Sequence, residues 1–206
     1  MAVITISRQF GAGGRTLGAL IAEKLGYSLI DEVVVEKIAA EAKVSPNWVK
    51  SVENQVSGWL SRFVTGMISV SKSGYLESAT MKRETGYIDG DIYVEMLHKV
   101  IPKIADEDNV VIIGRGGQYI LADREDAFHF LLIADLEKRI QFMMENYELS
   151  RKEAKSVVEK KSKIRLNLYR YFGQEDYDNP NLYHLVMNMN RVDLDIAGDI
   201  VCRFVS

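Results

Sequence analysis

A chain of 206 residues, 47% of them hydrophobic, is long enough to bury one continuous core, which excludes a wholly disordered protein. A formal charge of −3 gives no global basic field, so nucleic acid and membrane are not expected partners and any anion must be gripped locally. A single cysteine, Cys202, leaves no disulfide framework, and no apolar run reaches the roughly 20 residues that span a bilayer, so a cytoplasmic protein is the expectation.

The first element is a β-branched run from Ala2 to Ser7, and Arg15 to Leu25 then switch to helical spacing across a glycine-rich turn. Gly26 is placed to stop that helix, Tyr27 to Ile30 read as a second strand, and Asp31 precedes a helix over Val33 to Ala42. Ser45-Pro46 has the form of an N-cap followed by proline at the first helical position, which predicts a helix to about Phe63. Ser69 to Gly90 shows no clean period and reads as a loop or hairpin. Asp91 to Ala105 is again helical, and the apolar strand Asn109 to Ile113 ends abruptly at Gly114-Arg115-Gly116-Gly117. Ala127 to Ile133 forms another buried strand, and Asp135 opens a helix to about Tyr147. Ser150 with Glu153 makes a capping box for a long charged helix reaching Phe172. Leu182 to Met187 is a fifth strand, and Leu194 to Phe204 a closing helix. Strands alternating with helices predict an α/β fold with a parallel sheet.

The chemistry concentrates in Ile4-Thr5-Ile6-Ser7-Arg8-Gln9-Phe10-Gly11-Ala12-Gly13-Gly14-Arg15-Thr16, a strand running through glycines into a helix. Such a turn aims backbone N–H groups at a helix N-terminus, where a polyphosphate can bind without side-chain bulk in the way. Against the pattern G-x-x-x-x-G-K-[ST], Gly14 and Thr16 match, Gln9 stands at the first glycine and Arg15 at the lysine. Gly114-Arg115-Gly116-Gly117 leaves the carboxyl end of a central strand, and two anion-suited loops on one sheet edge imply two phosphorylated ligands. In the long helix, Lys161, Arg165 and, less perfectly, Arg170 fall near one stripe that can close over phosphates as a lid.

These segments resemble the cytidylate-kinase-like family, a branch of the nucleoside-monophosphate kinases. The opening I-T-I-S-R-Q-F-G-A-G-G-R carries the resemblance, with Ile30-Asp31, Val110 to Arg115, Arg139, and Arg165 to Asn188. That branch is similar in using G-G-R where other P-loop kinases use G-K. Cytidylate kinases proper carry Asp-Thr-Gly-x-x-x-Arg after the second strand; Asp31 matches the aspartate and Lys37 falls at the arginine's spacing. Gly114-Arg115-Gly116 resembles their Gly-Arg-Asp, and Ser162-Lys163-Ile164-Arg165 their lid Asp-x-x-Arg without its aspartate.

The resemblance implies a three-layer α/β/α P-loop kinase fold with five parallel strands, a single domain over residues 1–206. An acceptor-binding insertion would span residues 45–90 and a lid residues 150–180. It further implies that Gly11, Ala12, Gly13, Gly14, Arg15 and Thr16 bind ATP, with Thr16 on Mg2+. Asp31, Lys37, Arg115, Arg139 and Arg165 would bind a small phosphorylated acceptor such as CMP, with Arg15, Arg115 and Arg165 catalytic and Lys161, Arg165 and Arg170 on the lid. Two other readings stand beside it: a P-loop kinase for another small metabolite, and a nucleotide-binding regulatory protein that does not turn over.

Overall fold

The computed structural model describes residues 2–31, 33–42, 45–47, 49–50, 90–173, 176 and 178–206. Five strands, β1 (Val3–Arg8), β2 (Ser28–Ile30), β3 (Val110–Ile113), β4 (Ala127–Ile133) and β5 (Leu185–Asn188), form one sheet in the order β2-β3-β1-β4-β5. Every pairing is parallel, with Ile6 opposite both Ile113 and Phe130. Among the described residues the helices are α1 (Gly14–Leu25), α2 (Val33–Ala42), α3 (Gly90–Ala105), α4 (Gly117–Ile120), α5 (Leu136–Tyr147), α6 (Arg151–Tyr171) and α7 (Leu194–Val205).

Strand residues alternate between two cores because successive side chains leave opposite faces of a sheet. Ile4, Ile6, Val111 and Ile113 pack with Leu17 and Ile21 of α1 and Ala197 and Val201 of α7. Val3, Val110 and Ile112 pack on the other face with Val34 and Ile38 of α2 and Leu97, Ile101 and Ile104 of α3. Three layers result, and each fully buried aliphatic contributes about 1.5–3 kcal/mol relative to exposure. Close approach of α1 to the sheet depends on Gly18, where an added Cβ would stand 2.5 Å from Ile113 Cδ1. The helices α5 and α6 pack on each other over a small core of Ile140, Met143, Ala154 and Val158. The Ser150–Glu153 capping box is present as the sequence predicts.

Most boundaries shift by a residue or two, and two features differ more. The fifth strand begins at Leu185, because Asn179 caps a single 3-10 turn over Pro180–Leu182 that holds those residues out of the sheet. The four-residue helix α4, directly after the second glycine loop, has too little apolar period to be read from sequence. The Ser45–Pro46 helix start is seen in a Val49 N–H bond to the Ser45 carbonyl, whereas the remainder of the predicted insertion, 51–89, lies outside the described residues. No helix among the described residues is long and apolar enough to cross a membrane.

One buried polar pair gives the fold a pH dependence. His129 shares a 2.7 Å hydrogen bond with Thr5, and burial, together with nearby His184, pulls its pKa from 6.5 down to about 4. The unfolded chain takes up this proton near pH 6.5 while the folded chain holds out to about 4, so stability is lost as pH falls through that window. We expect roughly 2 kcal/mol to be lost between pH 7 and 5 through this one group, above the range where carboxylates titrate. Thermal melts across that interval should show the fall in the wild type and a flatter profile in His129→Gln.

Candidate active site

The carboxyl ends of β1 and β3 lie side by side, and the Gly114 N–H bonds the Ile6 carbonyl at 3.0 Å where the two loops begin. The first loop turns through Gly11 (φ +90°) and Gly13 (φ +83°), the left-handed N-cap of α1. An added Cβ at Gly11 would stand 2.8 Å from the Arg139 carbonyl oxygen, so the loop is pressed against α5. Leu17 donates to the Gly13 carbonyl and no side chain caps the helix, so the N–H groups of Gly14, Arg15 and Thr16 precede the first intrahelical bond. Those amides and the helix dipole suit an anion.

The second loop carries Arg115 in the left-handed region (φ +53°), a conformation costing a non-glycine residue about 1–3 kcal/mol. Its guanidinium donates to the Asp31 carbonyl and stands 3.6 Å from the Asp31 carboxylate. Arg15 Nε approaches the same carboxylate at 3.2 Å, with 60% of its side chain exposed. Arg15 therefore stands at the rim beside Asp31 while still lining the cavity along the glycine loop.

Arg8, the last residue of β1, lies between the loops. An added Cβ at Gly14 would stand 2.7 Å from Arg8 Cγ, and one at Gly114 would land on Arg8 Nη1. Burial lowers the Arg8 pKa; Tyr169 and Asp31 oppose that, while Arg115 and Arg165 add to it. A cavity of about 330 Å³ runs along Gly13, Gly14 and Thr16, and another of about 200 Å³ lies against Arg115, Arg165 and Tyr169. Arg8, Phe10, Asp31 and Lys161 line both. A third, about 390 Å³, opens on the other side of the glycine loop against Lys138, Phe142, Asn190 and Asp193.

The long helix supplies the roof. Arg165 pairs with Asp178 at 2.5 Å, and Asp178 also accepts from Gln9 Nε2 at 3.0 Å, while Gln9 Oε1 accepts from the Ala134 N–H. This clamp ties the first loop, the end of β4 and the helix together. Arg165 also lies over the Tyr169 ring at 4.9 Å, and Tyr169 meets Tyr119 edge to face. Beneath them Ser7 donates to Gln118, whose amide reaches Tyr183, so the second loop is anchored to β1 by a buried network. Burial raises the Tyr119 pKa to about 12.

Three expectations need correction. Lys37 reaches no cavity by the loops: its ammonium pairs with Glu107 at 2.5 Å, because the helix has already carried it toward the amino edge of the sheet. Arg170 is exposed and its guanidinium turns back to Asn167, leaving only Lys161 and Arg165 of the stripe at the cleft. Arg139 sits behind the loop, donating to the Phe10 carbonyl at 3.4 Å and to Ser162 at 3.2 Å, and lines none of the three cavities.

Residues 3–191 match the cytidylate kinase-like family. The chain belongs to that family. No curated protein matches it. Among solved structures, an uncharacterized protein from Eubacterium ventriosum is 20% identical, with 99% of this chain and 97% of that chain covered and a TM-score of 0.64. Shikimate kinases from Acinetobacter baumannii and Bacteroides thetaiotaomicron are 12% and 11% identical, with TM-scores of 0.51 and 0.52. The first is covered over 93% of its length by 100% of this chain, the second over 98% by 99%. These likenesses give the fold, that of P-loop kinases.

In this cytidylate kinase-like chain, sequence reasoning gave no role to Arg8, Gln9 or Asp178. The signal for Arg8 was the glycine pattern read one residue earlier; Asp178 lay in a loop with no period to place it. The roof is also docked more firmly than the few apolar contacts expected of a lid, since Leu168 and Phe172 pack on the core and Tyr169 is buried. Gly116 (φ +73°) lies under the Phe172 ring with no room for a Cβ. Gly116→Ala should therefore destabilise the fold by more than about 1 kcal/mol, from backbone strain and displacement of Phe172, measurable as a lower urea midpoint.

Proposed function

We propose that the chain transfers a phosphoryl group from ATP to a small phosphorylated acceptor in the cytoplasm, a nucleoside monophosphate such as CMP being the leading candidate. The observation that carries this reading is the shared wall between two cavities. The glycine-loop amides line one, Arg115 and Arg165 line the other, and Arg8 and Lys161 line both. Donor and acceptor phosphates bound there would face each other across a cationic boundary. The cavity beyond the loop would take the donor's base and sugar against Lys138 and Phe142.

In such a transfer an acceptor phosphate oxygen forms a bond to the γ-phosphorus. The bond from that phosphorus to the β–γ bridging oxygen breaks, and its electron pair leaves with ADP. Positioning and charge neutralisation supply most of the rate. Arg115, fixed by Asp31, would grip the acceptor phosphate; Arg165, fixed by Asp178, would join it from the roof. Asp31 is committed to two arginines and so orients them as much as any acceptor sugar or base. Mg2+ takes its oxygens chiefly from phosphate and water with one or two protein groups, and the Thr16 hydroxyl, which lines the loop cavity, fits that requirement. When bound, the ion would offset charge on the donor phosphates.

The test is ADP release from ATP and Mg2+ with CMP, UMP, AMP and the unphosphorylated acceptor shikimate. We expect turnover with phosphorylated acceptors and less than about 100-fold discrimination among the monophosphates, since Ser162 stands where a base-reading aspartate is expected. Turnover with shikimate alone would move the assignment to a metabolite kinase. ATP-induced thermal stabilisation without turnover on any acceptor would favour a regulatory nucleotide-binding role.

Arg115→Ala should raise the acceptor KM by about 10- to 100-fold, the worth of a lost charge-assisted hydrogen bond. The shift in melting temperature on adding ATP should persist in that variant, because the donor loop is untouched.

A further inference from the structure

The side chain of Arg8 passes through the space a side chain on Gly14 would need. A Cβ at Gly14 would stand 2.7 Å from Arg8 Cγ and 3.0 Å from Arg8 Cβ and Cδ. The guanidinium then ends against Gly114, where again only a glycine leaves room. In the pattern G-x-x-x-x-G-K the first position has no side chain, and the lysine rises from the residue after the second glycine. With the left-handed N-cap Gly13 as that second glycine, Arg8 stands at the first position and Gly14 at the lysine. The two positions have exchanged side chain for hydrogen, and the same space is filled from the opposite end of the loop.

We propose that Arg8 is the catalytic cation of the donor loop, reaching the β- and γ-phosphates from the end of β1 in place of a lysine on the first turn of the helix. The inference rests on the phosphotransferase reading above. Arg8 has the position for it, lining both the glycine-loop cavity and the Arg115–Arg165 cavity, so its guanidinium stands where the γ-phosphoryl group changes hands. Among the described residues no carboxylate forms an ion pair or hydrogen bond with it, whereas Arg15 pairs with Asp31, Arg115 with Asp31 and Arg165 with Asp178. A guanidinium also offers two parallel donors, so one arginine can hold a β- and a γ-phosphate oxygen together as negative charge builds on the bridging oxygen.

The experiment compares wild type, Arg8→Met, Gly14→Lys and the double variant Arg8→Gly/Gly14→Lys. It measures ADP release with ATP, Mg2+ and the best acceptor of the wild type, and the melting temperature without ligand. Arg8→Met keeps the unbranched stem of the side chain and removes the guanidinium with its charge; we expect kcat to fall at least 100-fold with the melting temperature nearly unchanged. Gly14→Lys alone should also lose activity, because two side chains then compete for one space. The double variant should recover at least tenfold over both Gly14→Lys and Arg8→Met; the gain over Arg8→Met, where the space has room but no cation, is one that relief of crowding alone does not produce.

Arg8→Met retaining kcat within about threefold would overturn the inference, as would a folded double variant no more active than Gly14→Lys or than Arg8→Met. If Arg8→Met does not fold, the double variant decides in the same two directions. A wild type that neither turns over nor is stabilised by ATP removes the phosphotransferase reading and this inference with it. An active wild type with an active Arg8→Met variant removes the inference alone.

Discussion

The cleft is organised around a crowding of like charge. Arg8, Arg115 and Arg165 line one small cavity with Lys161, and among the described residues Asp31 is the carboxylate in its wall. Guanidiniums this close repel, and away from bulk water the repulsion is screened less than at the surface. The fold tolerates them because Asp31 holds Arg115 and Asp178 holds Arg165, each carboxylate brought from a different connection of the sheet. Polyphosphate would relieve what repulsion remains, so ligand binding and stability are coupled in this site by construction.

Backbone geometry makes the crowding possible. The order β2-β3-β1-β4-β5 sets the ends of β1 and β3 beside each other, so both glycine loops open on one edge. The loops can then approach because Gly14 and Gly114 leave a channel the width of one side chain, which Arg8 fills. The roof is tied to this floor by the Gln9–Asp178–Arg165 clamp and by aromatic docking of Tyr169 and Phe172.

Misplacements at the sequence level share a cause: spacing along a helix gives an angle but not a neighbour. Arg165 follows Lys161 by four residues and stays within about 40° of it, whereas Arg170 is a further five on and turns about 140° away. That rotation sends Arg170 to Asn167 and solvent. Lys37 has a relative's spacing from Asp31, but Glu107, just before β3, offers the nearer anion and takes it. The apolar Leu182 and aromatic Tyr183 look like the start of β5, but Asn179 and Pro180 close a turn first.

The chain's own residues determined the elements and their layers. Apolar runs of four to seven residues fit strands buried on both faces, glycine punctuation fixed the turns, and the capping box fixed the start of the long helix. The two glycine-arginine loops were legible for the same reason, since a glycine turn between strand and helix is a local pattern. Only the tertiary structure decided which arginine stands in which space. Arg8 and Arg15 both lie within a few residues of Gly14 and are equally charged, and the glycine pattern can be laid on the loop in two registers that place them differently. The difference arises from packing: Arg8 has the room that Gly14 and Gly114 leave, and Arg15 has a carboxylate at the rim. The first depends on Gly114, 106 residues beyond Arg8, and the second on Asp31, 16 beyond Arg15, neither of which sequence spacing brings to its partner.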